Sequence, residues 1–232
     1  MPDTKRTFTL KVIVQLLIVV VIMPLLPLII SDAWDWLEAW IYAVISTVGF
    51  ILSRGLAAKR HPDILQERAR SMELQDAKSW DRILAPVMAL GSVVILAVAG
   101  FDKLYGWTSP FSTTIKIVAF AVILLGYVLG TWALMENRFF SGVVRIQTDR
   151  GHQVVTTGPY RFIRHPGYAG VLWTYFAIPL FLDSLWAFVP ALLILVFTII
   201  RTALEDATLH KELPGYKEYA QKTKYRLFPG IW

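Results

Sequence analysis

Tyr168–Ile200 reads YAGVLWTYFAIPLFLDSLWAFVPALLILVFTII, a run of 33 residues with one charge, Asp183. As a single helix it would extend about 50 Å, well beyond a bilayer core of about 30 Å. Asp183-Ser184 therefore reads as the tip of a helical hairpin, with each arm somewhat short and the tip tucked below the far headgroups. One long tilted helix is the alternative. Working outward, Val12–Ile30, Trp36–Ser53, Ile83–Phe101 and Ile117–Met135 are four further apolar runs of spanning length. Gln15 is the sole polar side chain of the first, and Glu38 lies near one end of the second, within reach of the interface. Six spans in one all-α integral membrane domain is the expected architecture, with four spans in residues 1–136 and the hairpin in 137–232.

Composition agrees. The chain is 56% hydrophobic and 17% charged, where soluble domains carry about a quarter. Lys5, Arg6 and Lys11 ahead of the first run resemble the basic start of a signal peptide. However, the run is too long, and Ser31-Asp32-Ala33-Trp34 lacks the small-residue cleavage pattern. Lys and Arg set the orientation. Three precede the first span, seven lie in Arg54–Arg82, five in Asn137–Gly167 and six from Arg201 onward. The opposite loops hold only Lys103, with Lys116 at a span edge. With six spans all four basic segments share one side, which makes both termini cytoplasmic. This also accounts for the net charge of +6 without a nucleic-acid partner. Trp34, Trp36, Trp40, Trp107 and Trp186 fall near predicted outer ends, as an aromatic belt would.

Smaller features add detail. Gly126-x-x-x-Gly130 predicts close helix packing. Ile64, Leu65, Ala69, Met72 and Leu74, interleaved with charges, are consistent with an interfacial amphipathic helix or a solvated loop. Cysteine is absent, which removes disulfides, thiolate metal sites and Cys nucleophiles. No dinucleotide fingerprint, P-loop or zinc-protease motif occurs. His61, His152, His165 and His210 are too scattered to predict a metal site.

Two polar clusters remain. Thr156-Thr157-Gly158-Pro159-Tyr160-Arg161-Phe162-Ile163-Arg164-His165-Pro166-Gly167-Tyr168 leads into the hairpin. Pro166 keeps His165 extended and suits a first helical turn, whose free amides favour anionic groups. Taken alone, such residues also serve as interface anchors. Arg60-His61-Pro62 repeats the Arg-His-Pro without the aromatic context. The second cluster follows the last span. Arg201 and Glu205, four apart, share a helix face with Asp206 and His210 beyond, and Pro214-Gly215 ends the helix. A juxtamembrane ion pair is its alternative reading.

In this order, Gly158-Pro159-Tyr160, Arg164-His165-Pro166-Gly167-Tyr168, a hydrophobic hairpin, Arg201, Glu205-Asp206, Tyr216-x-x-Tyr219 and Leu227-Phe228-Pro229-Gly230 resemble the isoprenylcysteine carboxyl methyltransferase family. Phospholipid methyltransferases are relatives. The resemblance covers about 152–232. It implies S-adenosylmethionine as cofactor, a pocket at the cytosolic face, and a lipid-like, prenylated acceptor arriving sideways from the bilayer. Carried over, His152, Gln153, Val154, Val155, Tyr160, His165, Pro166, Gly167, Tyr168, Glu205 and Asp206 would bind the cofactor, and Arg201 would hold the acceptor carboxylate. Arg145 falls where eukaryotic members have a cofactor-contacting Gln. Asp206 stands where the family often has a second Glu, so its reach is shorter.

The implied chemistry suits the inventory. A carboxylate is already ionised near pH 7 and needs no general base, so the protein must supply alignment and water exclusion. Arginine matches a carboxylate bidentately. Phospholipid N-methylation, thiol S-methylation, an NADPH-dependent sterol-reductase-like activity and a non-enzymatic membrane role are the rival readings.

Overall fold

The computed structural model describes Val14, residues 17–71 and residues 76–232. Every regular element among them is helical: α1 (Ile18–Ser31), α2 (Leu37–Arg60), α3 (Ile64–Ser71), α4 (Asp81–Tyr105), α5 (Thr113–Glu136), α6 (Pro166–Phe181), α7 (Phe188–Glu212) and α8 (Tyr216–Lys222). Four of these, α2, α4, α5 and α7, are long and apolar enough to cross a membrane, and α1 is a shorter apolar helix. The start of the first predicted span, Val12 onward, lies largely outside the described residues.

The hairpin forms as read, with α6 and α7 joined through Asp183-Ser184, where Asp183 takes a left-handed φ of 52°. Its arms differ from the expectation of two short ones. α6 has 16 residues, about 24 Å, and its closing turn contains Pro179. α7 runs unbroken for 25 residues, because nothing before Pro214-Gly215 stops it. The tip compensates for the short arm by being pinned inside the protein. Asp102, 1% exposed, accepts from Ser184 Oγ at 2.6 Å and from Thr108 N at 2.8 Å. Asp183 accepts from Phe111 N at 2.7 Å and pairs with Lys116 at 2.6 Å. Lys116 also reaches Glu38 at 2.7 Å, so the span-edge lysine ties α5, α2 and the hairpin tip together.

Helix contacts rest on small residues and satisfied backbones rather than on apolar burial, which earns nothing between helices in lipid. A Cβ on Gly126 would sit 2.3 Å from Thr174 Oγ1 and 2.6 Å from Gly170 O, and one on Gly170 would sit 3.0 Å from Gly130 N. Thus α5 and α6 meet backbone to backbone along the predicted Gly-x-x-x-Gly stripe. In α1, Pro24 lacks the N–H that Val20 O would accept in an α-helix. Thr47 Oγ1 of α2 donates there instead, at 2.8 Å, and the adjoining turn Ile18–Ile22 is π-helical. Leu28, Ile95, Ile123 and Ile178 fill the centre. Trp34, Trp40, Trp107 and Trp186 are exposed as a belt requires, but Trp36 is only 4% exposed and belongs to the core. Its neighbours Ala33 and Ala39 are small enough to admit the ring.

The helix within Arg54–Arg82 is α3, with Ile64 buried against Ala57 and Leu134. Met72 and Leu74 of the predicted apolar set lie outside the described residues.

Candidate functional site

Residues 137–165 form an irregular strap across the basic end of the bundle, and each turn has a local cause. Asn137 caps the strap's start, accepting from Phe139 N at 2.8 Å, while its amide reaches Tyr160 Oη at 3.2 Å. Gln147, 1% exposed, donates to Phe139 O at 2.7 Å. Gly158 takes a φ of 57°, and a Cβ there would meet Glu136 Cγ at 2.9 Å and Trp132 Nε1 at 3.0 Å. Pro166 then opens α6 at its first turn, with His165 before it.

The chain's end locks this strap in place. Arg164 N and His165 N donate to Tyr225 O and Arg226 O, both at 2.9 Å. Asp206, 1% exposed, is the knot. It accepts from Arg164 Nε at 2.8 Å and Nη2 at 3.0 Å, Tyr216 Oη at 2.8 Å and Arg226 Nε at 2.9 Å, with His165 Nε2 at 3.2 Å. Tyr219 Oη donates to Tyr160 O at 2.7 Å. Burial pushes the phenols of Tyr160, Tyr216 and Tyr219 up, so they remain neutral, with electron-rich faces.

Between strap, α6, α7 and α8 lies a cavity of about 370 Å³, within the range typical of small-molecule sites. Arg145, His152, Gln153, Val154, Val155, Tyr160, His165, Gly167, Tyr168, Arg201 and Glu205 all line it. Pro166 and Asp206 do not. Pro166 is buried in the helix start, and Asp206 stands behind the wall with its oxygens engaged as above. Asp206, expected to contact the cofactor, here ties Arg164, His165, Tyr216 and Arg226 together.

Within the wall, Tyr168 Oη donates to Glu205 Oε2 at 2.6 Å. Arg201 is clasped by Asp81 of α4, Nε to Oδ1 at 2.6 Å and Nη2 to Oδ2 at 2.9 Å, and Nη2 also donates to Gly142 O at 3.0 Å. Asp81, 0% exposed, further accepts from Val144 N at 2.6 Å, so one carboxylate joins α4, α7 and the strap. Arg145 pairs with Glu67 at 2.7 Å and Asp149 at 2.8 Å. His152 packs against Phe139 with centroids 4.6 Å apart and planes tilted by 33°, and its Nδ1 accepts from Gln147 N at 3.3 Å. Burial first, then Arg145 and Arg150, pull its pKa down to about 4, so the imidazole is neutral at pH 7. His61 lies away from the cavity. No group of three or more metal-ligating side chains assembles among the described residues.

Several lining residues went unnoticed in the sequence. Phe139, Phe140 and Gln147 sit in the strap with no periodicity to flag them. Asp81, which does not line the cavity but clasps Arg201, looks like any acid beginning a helix, and its partner lies 120 positions away. A second cavity, also about 370 Å³ and more apolar, lies among the spanning helices and shares Arg68, Phe140, Gly167, Val171 and Tyr175 with the first.

Residues 117–211 match the isoprenylcysteine carboxyl methyltransferase family. Protein-S-isoprenylcysteine O-methyltransferase B of Arabidopsis thaliana is 31% identical over 124 residues, covering 52% of this chain and 59% of the relative. A probable protein-S-isoprenylcysteine O-methyltransferase of Oryza sativa subsp. indica is 31% identical over 111 residues, covering 47% and 58%. The match thus spans under two thirds of those relatives. Among solved structures, the eukaryotic intramembrane Ras methyltransferase of this family aligns with a TM-score of 0.51 at 18% identity, over 97% of this chain and 88% of that one. That likeness concerns the fold.

Proposed function

We propose, from the match of residues 117–211 to the isoprenylcysteine carboxyl methyltransferase family, that the chain is a member of it and methylates the carboxylate of an isoprenylcysteine-type acceptor with S-adenosylmethionine as donor. One observation carries this reading. A cavity walled by a carboxylate and neutral phenol faces shares Gly167, Val171 and Tyr175 of its lining with an apolar cavity among membrane helices. The first suits a cation, since aromatic faces and Glu205 both attract positive charge. The second suits a prenyl chain.

S-adenosylmethionine would supply the electrophilic methyl, and its positively charged groups fit the Glu205–Tyr168 pair and the rings of Tyr160, Tyr216 and Tyr219. His152 to Val155 would border it along the strap, with His165, Gly167 and Tyr168 opposite. Holding donor and acceptor together in a pocket screened from water is the main catalytic need, because the nucleophile is already ionised. Arg201 is the candidate for the acceptor carboxylate. Asp81 occupies its Nε and Nη2, which fixes the guanidinium and leaves the Nη1 edge to offer. Asp206 would act one layer back, keeping His165 and Tyr216 in place. Six spans with the pocket and both termini at the cytosolic face complete the proposal, supported by the four basic segments.

Thermal unfolding in detergent tests the cofactor. S-adenosylmethionine at about 100 times its Kd should stabilise the protein by about 2.7 kcal/mol, and NADPH should not. Stabilisation by NADPH alone would select the reductase reading.

A further inference from the structure

The apolar cavity among the spanning helices carries hydroxyls that a plain hydrocarbon tail does not use. Tyr42 and Ser46, one turn apart on α2, meet Tyr127 of α5, and all three line that cavity. Ser46 Oγ and Tyr127 Oη are 2.8 Å apart, and the Tyr42 hydroxyl adjoins both. Ser92 of α4 and Tyr175 of α6 set two more hydroxyls beside each other in the same wall. Measured along α2 from Arg54 at its basic end, Ser46 lies about 12 Å and Tyr42 about 18 Å away. The cluster therefore stands at membrane depth rather than at the surface.

The use made of these hydroxyls sets three of them apart. Ser53, Ser92 and Thr174, also in the lining, donate to carbonyls of their own helices, Phe50 O at 3.0 Å, Ala89 O at 2.7 Å and Gly170 O at 3.0 Å. Their single protons are thereby engaged locally. Ser46 and Tyr127 bond each other instead, and among the described residues no backbone carbonyl accepts from Tyr42, Ser46 or Tyr127. Each of these oxygens retains lone-pair capacity, so an entering O–H can be accepted without opening a helix. In hydrocarbon that O–H has no other partner, which makes such a bond more favourable than the same bond in water.

We propose that Tyr42, Ser46 and Tyr127 form a polar subsite for a hydroxyl on the distal part of the acceptor's isoprenoid tail, so that the protein favours an oxygenated isoprenoid over a plain one. The two cavities share Gly167, Val171 and Tyr175, so an acceptor with its head in the first would have its tail in the second. Assigning that tail to the methyl acceptor rests on the methyltransferase reading above, whereas the subsite itself does not. A free lipid alcohol is the competing source of the same oxygen.

Binding decides without requiring turnover. The protein in phosphatidylcholine nanodiscs is titrated with three prenylcysteine acids, each displacing a fluorescent prenyl probe. One is plain, one is hydroxylated on the last isoprene unit and one on the first. The parent should bind the distal alcohol about fivefold or more tighter than the plain acid, as one hydrogen bond gained would give, and the proximal alcohol no tighter. Ser46→Ala and Tyr127→Phe should each bring that ratio close to one, leaving plain-acid affinity and calorimetric S-adenosylmethionine binding unchanged. Ser46→Thr, which restores a hydroxyl, should keep it. Equal affinities in the parent would overturn the proposal. So would a ratio untouched by either variant, since the hydroxyls would then serve only as ties between α2 and α5. Should Tyr127→Phe fail to fold, Ser46→Ala against Ser46→Thr decides. A free prenyl alcohol that displaces the probe as well as the distal-alcohol acid does, and loses that ability in Ser46→Ala, would assign the subsite to a separate lipid and overturn the acceptor assignment. Methyl transfer to the plain acid is recorded in parallel. Its absence would count against the methyltransferase reading, while the binding ratio still judges the subsite.

Discussion

Cutting the clasp between α4 and α7 should cost stability before it costs chemistry. Asp81 is 0% and Arg201 8% exposed, and two hydrogen bonds of 2.6 and 2.9 Å join them. Arg201→Ala strands a buried carboxylate, and removing one partner of such a pair costs about 3–5 kcal/mol. For a chain of this length that corresponds to a fall in Tm of roughly 6–20 °C. Asp81→Leu strands the guanidinium and should cost a similar amount. The double variant Asp81→Leu, Arg201→Met leaves neither charge, and replacement by apolar side chains is often close to neutral. It should therefore recover most of the loss, giving a coupling energy of about 2 kcal/mol or more, where independent sites add to within about half of one. Thermal or denaturant unfolding of the four proteins in one detergent measures this. Activity should stay low in the double variant, because Arg201 is gone. If the two single losses simply add, the clasp is not the unit described here. If Arg201→Ala is as stable as the parent and still turns over, both its structural and its acceptor role fail.

Two further outcomes follow from named groups. His152 has its pKa lowered from 6.5 to about 4, so the folded state favours the neutral ring. Its contribution is complete above about pH 6.5 and is lost as pH falls toward 4. A Tm profile over that window should be steeper for the parent than for His152→Asn, and identical slopes would refute the burial of a neutral imidazole against Phe139. For topology, single cysteines introduced into this cysteine-free chain at Ser109 and Lys217 should be labelled from opposite sides of a vesicle. Labelling of both from one side would sink the six-span arrangement.

Much of this molecule is legible in its sequence where the signal is local. The lone charge in Tyr168–Ile200 marks the hairpin tip, Pro166 marks the start of α6, and Gly126-x-x-x-Gly130 marks the surface where α5 and α6 touch. The cluster order locates most of one cavity wall, because a strap and two adjoining helices supply it. What escaped is long-range pairing. Trp36 looks like the other belt tryptophans until α4 covers it. Asp206 looks like a second cofactor acid until the chain's own end brings Arg226 and Tyr216 onto it. Arg201 appears open to an acceptor until Asp81 arrives from the other half of the chain. A charge's partner depends on tertiary packing, which spacing along one helix does not encode.

The central claim is methyl transfer to a carboxylate, and product chemistry tests it most directly. The purified protein, in lipid, is supplied with S-adenosylmethionine labelled in its methyl group and with prenylcysteine acid, phosphatidylethanolamine and a small thiol together. The account predicts label in a prenylcysteine methyl ester, released as methanol by mild alkali, and its loss in Glu205→Ala. Label in an alkali-stable lipid amine or thioether would contradict it, as would no transfer to the acid from a protein that binds the cofactor.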